Sequence, residues 1–433
     1  MSDVQLATKK NLKVSEMAEN LIGSEIIKLA AEVGERMKKG EKIYNLTIGD
    51  FDPDIFPIPQ KLEEEIINAY RDHQTNYPAA NGIEALRKAA QHFISYYQGL
   101  NYAPDEFLIA GGGRPLIYAT YITLLDKGDK VIYPVPSWNN NHYTHLSFCE
   151  KIEIVTKPEN HFMPSAEEIG PHLKDATLIA LCSPLNPTGT TFSKNDLEEI
   201  CDLVIAENNR RDEGRKPLYI LYDQLYWTLT FGDTKHYDPV SLRPELKNYV
   251  IYIDGLSKAF SATGIRVGWS FGPKPIIDKM RSILSHIGAW SPKPEQVASA
   301  KFLMMEDEVN DFLTGYKKKI QDRLDAFYKG FSALQNENYP VECISPQAAI
   351  YLTVKIDFRN AVKENGDIIK TMADVAAYLL DEAKIAIVPF YAFGSEKESP
   401  WFRLSVGTCR MEDVNESLVS LKRAMSKLKF ISG

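Results

Sequence analysis

The amino-acid sequence predicts an α/β protein, with a large domain built on a mainly parallel sheet between helices and a second, smaller α+β domain. Two patterns carry this. Between residues 105 and 260 come five short apolar runs, "EFLIAGGG", "DKVIYPVPSW", "ATLIALCSPLNPTG", "PLYILYDQLY" and "NYVIYIDGLSK", each continuous rather than alternating. Continuous runs mark strands buried on both faces, the condition of a parallel sheet covered by helices. From about residue 330 the pattern changes: "AIYLTVKIDF" and "PWFRLSV" read as strands of a smaller sheet, with "TMADVAAYLLDEAK" and "EDVNESLVSLKRAMSKL" as helices.

Taken in chain order, "SEIIKLAAEVGERMKKG" (Ser24 to Gly40) is an amphipathic helix with Ser24 as its N-cap and Gly40 as its C-cap. "KNDLEEICDLVIAENNRRDEGRK" supplies one crossover helix and then a charged, solvated loop that needs no functional reading. No internal repeat or low-complexity tract interrupts the chain. The expected division is residues 1–60 as a segment joining the small domain, 61–325 as the large domain, and 326–433 as the small C-terminal domain.

Composition narrows the function. At 433 residues, 44% apolar and 25% charged, the chain has the make-up of a soluble globular protein with a large core. A net charge of -8 leaves no basic excess to neutralise phosphates, which argues against a nucleic-acid partner. The five cysteines are scattered and never spaced C-x-x-C, as in a reduced cytoplasmic protein without a zinc site. "MSDVQLATKKNLKVSE" has no apolar h-region, and "LIYATYITLL" is too short to span a bilayer, so no membrane association is expected.

Ligands of open α/β sheets bind at the carboxyl ends of the strands. The ends of the five runs deliver Gly111, Gly112 and Gly113, then Trp138, Asn186, Asp223 and Lys258. A glycine cradle, an aromatic plate, an amide, a carboxylate and an amine together suit a flat, anionic, phosphorylated heteroaromatic aldehyde. Each alone has a plainer reading: a tight turn, a core tryptophan, a turn-initiating Asn-Pro, a helix cap, or a lysine whose stem packs while its head reaches water. The glycines complete neither a dinucleotide fingerprint nor a P-loop. An amine desolvated at a strand end has a lowered pKa and attacks carbonyls, so Lys258 carries the most weight.

Over nearly its whole length the chain resembles the class I/II pyridoxal-phosphate-dependent aminotransferases of fold type I, and is most like their bacterial aspartate aminotransferase branch. The matching stretches are "NYPAANGIEALRKA", "GGGRPLIYA", "LLDKGDKVIYPVPSW", "SPLNPTG", "DGLSKAFSATGIRVGW" with "FGPKPIIDKM", and "VPFYAFGSEKESPWFRLS". The resemblance implies a seven-stranded, mainly parallel sheet in the large domain, pyridoxal 5'-phosphate as cofactor, and a homodimer whose sites are completed by both subunits. It makes Lys258 the Schiff-base lysine that also shuttles the substrate Cα proton, and Asp223 the partner of the pyridine nitrogen, which keeps the ring an electron sink. Asn186 and Tyr226 match residues that hydrogen-bond the phenolic oxygen, and Trp138 the residue that stacks on the ring. Gly112, Gly113, Arg114, Ser257 and Arg266 fall in the phosphate site, with the Tyr77 hydroxyl arriving from the neighbouring subunit. Arg403, with Asn186 and the Gly49 backbone, would bind the substrate α-carboxylate.

Three departures from the pattern stand out. Gly255 replaces a serine that binds phosphate in many relatives, so either Ser257 supplies that donor or the phosphate holds one fewer. Phe390 stands where a glycine follows Pro389, and "GDFDPDIFPIP" follows the entrance-loop pattern loosely. The expected activity is transfer of an amino group from an amino acid, aspartate favoured, to a 2-oxo acid such as 2-oxoglutarate. Aromatic or alanine transamination and a lyase reaction on the same fold are the alternatives. A regulator's effector domain would need a helix-turn-helix module, for which about forty N-terminal residues leave no room. His142 and His145 lack a carboxylate motif and read as loop or cap residues, not metal ligands. For a second substrate carboxylate the sequence offers Lys293, Arg281 and Arg114; for an aromatic side chain, Tyr143, Trp290, Tyr391 and Phe393.

Overall fold

The computed structural model describes residues 13–430 apart from 22 and 24, so the expected Ser24 cap lies outside the described residues. The amphipathic helix runs Glu25–Lys38, and Gly40 follows it with φ +89°. Next comes β1 (Tyr44–Asn45), which pairs in parallel with β11 (Ile385–Ala386), more than three hundred residues later in the chain.

Seven strands form the large sheet: β2 (Phe107–Ala110), β3 (Lys130–Val135), β4 (Glu150–Val155), β5 (Leu178–Cys182), β6 (Tyr219–Asp223), β7 (Val250–Gly255) and β8 (Gly268–Phe271). Their order is β2-β8-β7-β6-β5-β3-β4, and only β8 runs against the rest. The seven strands implied by the family resemblance are therefore present, and the five apolar runs supply five of them. Side chains along those runs divide strictly by period two. Ile132, Ile179, Ile220 and Tyr252 enter the core on one face; Val131, Leu178, Leu221 and Ile251 enter that on the other. Burial on both faces is why the runs are continuous.

Sequence patterning misses β4 and β8. Edge strand β4, "EKIEIV", is largely exposed and polar at alternate positions, and so does not read as a buried strand. The antiparallel β8 has only four residues, directly after a turn. Its direction matters for the site: it begins at the sheet edge where its neighbours end.

The second sheet has the order β12-β13-β10-β9, from β9 (Val341–Cys343), β10 (Tyr351–Ile356), β12 (Val388–Pro389) and β13 (Trp401–Ser405). The helix Met372–Tyr378, the π-turn Leu379–Ala383 after it, and the helix Met411–Ser426 occupy the expected helical stretches. A 31-residue helix, Glu306–Asn336, ties the two sheets together. Val309 and Leu313 near its start belong to the core of the large sheet, whereas Ile320, Leu324, Phe327 and Phe331 belong to that of the small one. The expected boundary at 325/326 falls inside this helix. Among the described residues no helix is long and apolar enough to cross a membrane.

Candidate active site

A cleft of about 630 Å³ opens where the parallel strands end, between the two sheets. Gly113, Arg114, Trp138, Asn186, Asp223, Tyr226, Ser257, Lys258, Arg266, Gly49 and Arg403 all line it. β2 ends at Ala110, and the chain turns through Gly112 (φ +95°) into the helix Gly113–Leu124, whose first two residues line the cleft and whose first N–H groups, like those of any helix, have no intrahelical partners. A Cβ on Gly112 would collide with the Arg266 guanidinium, so a side chain there would displace that arginine. Because β8 is antiparallel, Arg266, two residues before its start, arrives at the same edge. Its Nη1 and Nη2 donate to the carbonyls of Thr263 and Gly111, at 2.7 Å each.

Lys258 lies on the short helix Leu256–Ala259 directly after β7, and Ser257 beside it is buried. Its Nζ donates to the Gly49 carbonyl at 2.7 Å and sits 5.5 Å from the centre of the Phe51 ring and 5.8 Å from that of Tyr226. Loss of water pushes its pKa down to about 8, outweighing the opposing pull of Asp50, and the Arg403, Arg114 and Arg266 charges add to the lowering. A substantial fraction of the amine is therefore neutral and nucleophilic near pH 8.

Asp223 closes β6. One carboxylate oxygen accepts the Leu225 N–H at 3.2 Å, and no helix starts there, so the capping alternative does not apply. Desolvation raises its pKa to about 6, which that single backbone bond only partly offsets. A carboxyl held this way is poised to receive a cationic or N–H partner.

Arg403, on β13, is 1% exposed. It donates from Nη1 to Asn186 Oδ1 at 3.0 Å and from Nη2 to the Thr47 carbonyl at 2.6 Å, while Nε has no partner. Its guanidinium lies between the rings of Tyr351 (4.6 Å) and Phe393 (4.9 Å). The hydrogen bonds of Lys258, Arg266 and Arg403 all go to neutral oxygens among the described residues. Lys258 is half-buried and Arg403 buried, and such charges without counter-ions are costly unless a ligand supplies the opposite charge; Arg266 is exposed at the cleft's edge.

The structure also places residues that pattern reading missed. Tyr351 lines the cleft, and its hydroxyl is 2.6 Å from that of Tyr226. It lies on β10 two residues before Thr353, which pairs with Arg403, so period-two alternation puts all three on one face. That signal needs the register, which the sequence does not supply. Thr47, Asp50 and Thr263 line the cleft as well, and Ile26, Ile27 and Ala30 of the N-terminal helix form an apolar part of its wall.

Other candidates lie apart. Tyr77 is 82% exposed, edge-on to Trp290, and is absent from this chain's cleft. Lys293 donates to Asn76 and Arg281 pairs with Asp278; of the three suggested cations only Arg114 lines the cleft, its guanidinium 5.4 Å from the Trp138 ring centre. Tyr143, Trp290, Tyr391 and Phe393 do not line it, although Phe393 backs Arg403. His145 bonds the Met17 carbonyl from the helix Asn140–Leu146, which also carries His142.

The expected replacement at Gly255 acquires a physical reason. A Cβ there would come within 2.7 Å of Gly268 Cα and 2.8 Å of the Val267 carbonyl on the neighbouring strand. Serine does not fit where β7 and β8 approach this closely.

A nucleophilic amine, a desolvated carboxyl and two guanidiniums converging at strand ends define an enzyme that handles an anionic substrate. The chain belongs to the class I and II aminotransferases, whose family profile matches residues 41–421. It is 32% identical over 402 residues to a probable aspartate/prephenate aminotransferase of Rickettsia felis, covering 92% of this chain and 93% of that one. It is 28% identical to an aspartate aminotransferase of Rhizobium meliloti, covering 94% of each. The crystal structure of the aspartate aminotransferase from Rhizobium meliloti superposes with a TM-score of 0.88 at 27% identity, covering 96% of this chain and all of that one. An aromatic aminotransferase from Pyrococcus horikoshii, at 24% identity and a TM-score of 0.78, covers 91% of this chain and 98% of its own and shares the fold.

Proposed function

We propose that the cleft binds pyridoxal 5'-phosphate and transfers an amino group from aspartate to 2-oxoglutarate. The observation that carries this is Lys258: a lysine with a depressed pKa whose amine faces a cleft shared with Asp223, Arg266 and Arg403. The donor set fits the cofactor. The Gly112 turn and the helix starting at Gly113 form an anion cradle beside Arg266, and Asp223 lines the same cleft without a cationic partner. When bound, the cofactor supplies an aldehyde that joins amino groups and a ring that accepts the electron pair left by a departing proton.

The chain's own residues do the rest. Arg266, the N–H groups at Gly113 and Arg114, and the Ser257 hydroxyl hold the phosphate. Asp223 keeps a proton on the ring nitrogen, Trp138 backs the ring, and Asn186 and Tyr226 donate to the phenolic oxygen. Arg403 grips the substrate α-carboxylate with its paired N–H groups, a geometry that suits guanidinium. Asn186 and Thr47 fix the guanidinium's plane. Lys258 Nζ would take the proton from the substrate Cα and deliver it to the carbon that was the cofactor's aldehyde carbon. In a homodimer, exposed Tyr77 completes the neighbouring subunit's phosphate site.

Aspartate is favoured by the names of the relatives, five of which couple it with prephenate. Glutamate formed from 2-oxoglutarate, measured with aspartate, phenylalanine and alanine in turn, tests the reading. The highest kcat/KM is expected with aspartate. A higher value with phenylalanine would replace the substrate, and ammonia or carbon dioxide released without any acceptor would make the protein a lyase.

A further inference from the structure

The hydroxyls of Tyr226 and Tyr351 lie 2.6 Å apart, and among the described residues neither has another partner. Both side chains are buried, and both line the cleft. A hydroxyl carries one hydrogen, so within such a pair one oxygen donates and the other accepts. Geometry alone allows either tyrosine to be the donor. The function proposed for this site, on which this inference rests, settles the choice: Tyr226 gives its hydrogen to the cofactor's phenolic oxygen. Its own oxygen is then left to accept, and the donor beside it is Tyr351.

The surrounding backbone holds Tyr351 to this place. A Cβ at Gly49 would come within 2.7 Å of the Tyr351 oxygen, so the hydroxyl fits because residue 49 is glycine. Gly189 (φ +72°) lets the loop after Asn186 pack against the Tyr351 carbonyl, where a side chain would collide. The Ala348 and Ala349 N–H groups donate to the Gly189 and Leu229 carbonyls at 2.9 and 2.8 Å, and Thr353 Oγ1 donates to the Thr188 carbonyl at 2.7 Å. The start of β10 is thereby fastened to the two segments that carry Asn186 and Tyr226. Arg403, on the neighbouring strand of the same small sheet, orients Asn186 in a like manner: Nη1 donates to Oδ1, which leaves the amide NH₂ as the donor to the phenolic oxygen. The ring of Tyr351, 4.6 Å from the Arg403 guanidinium, makes a separate contact that phenylalanine would keep.

We infer that Tyr351 is a positioning residue for the reaction: it donates to the Tyr226 oxygen, and so aims and strengthens the hydrogen bond from Tyr226 to the cofactor's phenolic oxygen. Hydrogen bonds in a chain polarise one another, so the second hydroxyl makes the first a better donor. Donors to the phenolic oxygen help most when the nitrogen joining Lys258 to the cofactor has lost its proton, and they lower the pH at which that nitrogen titrates. The charged and titratable groups facing the tyrosine pair are Lys258, Arg403, Asp50 and Cys182, and Tyr351→Phe leaves each of them in place.

The test is a pH titration of the visible absorption of pyridoxal-phosphate-loaded protein, without substrate, for the parent, Tyr351→Phe, Tyr226→Phe and the double variant. Tyr351→Phe is expected to move the midpoint up by about half a pH unit, the worth of one hydrogen bond between neutral groups, and Tyr226→Phe to move it further. In the Tyr226→Phe background, Tyr351→Phe is expected to add nothing, because it acts through the other hydroxyl. A loaded Tyr351→Phe protein with the parent's midpoint overturns the inference, and so does a shift of equal size with and without the Tyr226 hydroxyl. Either result leaves the cofactor site standing. A protein that acquires no visible band, or whose midpoint ignores Tyr226→Phe, overturns the proposed use of the site together with the inference.

Discussion

Arg403 offers the sharpest quantitative prediction, because its roles in binding and in folding separate. The guanidinium is buried, anchored by Asn186 and Thr47, and has no counter-ion. If the substrate carboxylate takes two charge-assisted bonds, each contributes about 1.5–3 kcal/mol. Arg403→Lys keeps a charge but loses the fork and one bond, which at ~1.4 kcal/mol per tenfold lowers kcat/KM about 10- to 150-fold. Arg403→Leu loses both bonds, a fall of about 10²- to 10⁴-fold. Every amino acid and 2-oxo acid carries the same α-carboxylate, so the factor should be alike for donor and acceptor. Stability should respond differently. Removing an unpaired buried charge offsets the two acceptors left bare, so unfolding free energy should change by no more than about 2 kcal/mol. The assays are steady-state kinetics with aspartate and with 2-oxoglutarate, plus urea unfolding of the same preparations. A folded Arg403→Leu protein that keeps about a tenth or more of its kcat/KM, or loses it for one substrate only, would refute the carboxylate role.

Two further substitutions test the site's other parts. Asp223 has its pKa raised from 3.8 to about 6, so the folded cofactor-free protein pays for the ionised form above pH 6 and not below about pH 4. Asp223→Asn should therefore stabilise cofactor-free protein at pH 7, by on the order of 3 kcal/mol, with the gain vanishing as the pH falls through 4. The same variant should lose several powers of ten in turnover when cofactor is supplied; an unchanged melting temperature at pH 7 or a near-normal kcat would contradict the assignment. Gly255→Ser, which would restore the residue of many relatives, should instead overpack the β7–β8 contact and lower stability by about 1–3 kcal/mol. A variant as stable as the parent would show that the strands have room.

Much of the fold is legible in the chain because burial leaves a mark on composition. β7 is buried at all six positions, and its first four residues, Val250 to Ile253, form an unbroken apolar run; β4 is half exposed and leaves none. The site is legible where it depends on strand ends, since Asp223 and Lys258 follow the apolar runs directly. Arg403 is different. In "WFRLS" it looks like a surface residue of a strand, and only the pairing of β13 with β10 and the approach of Thr47 bury it. The family resemblance, not the residue pattern, singled it out. Tyr351 was missed for the same reason, since its face depends on register.

The central claim is that Lys258 is the amine that joins the cofactor and is displaced by substrate. Borohydride reduction of the pyridoxal-phosphate-loaded protein, followed by peptide mass spectrometry, measures it directly. The account predicts one label per chain, on the peptide containing Lys258, and its loss when aspartate is added before reduction. A label on another lysine, or one that aspartate leaves in place, would contradict it.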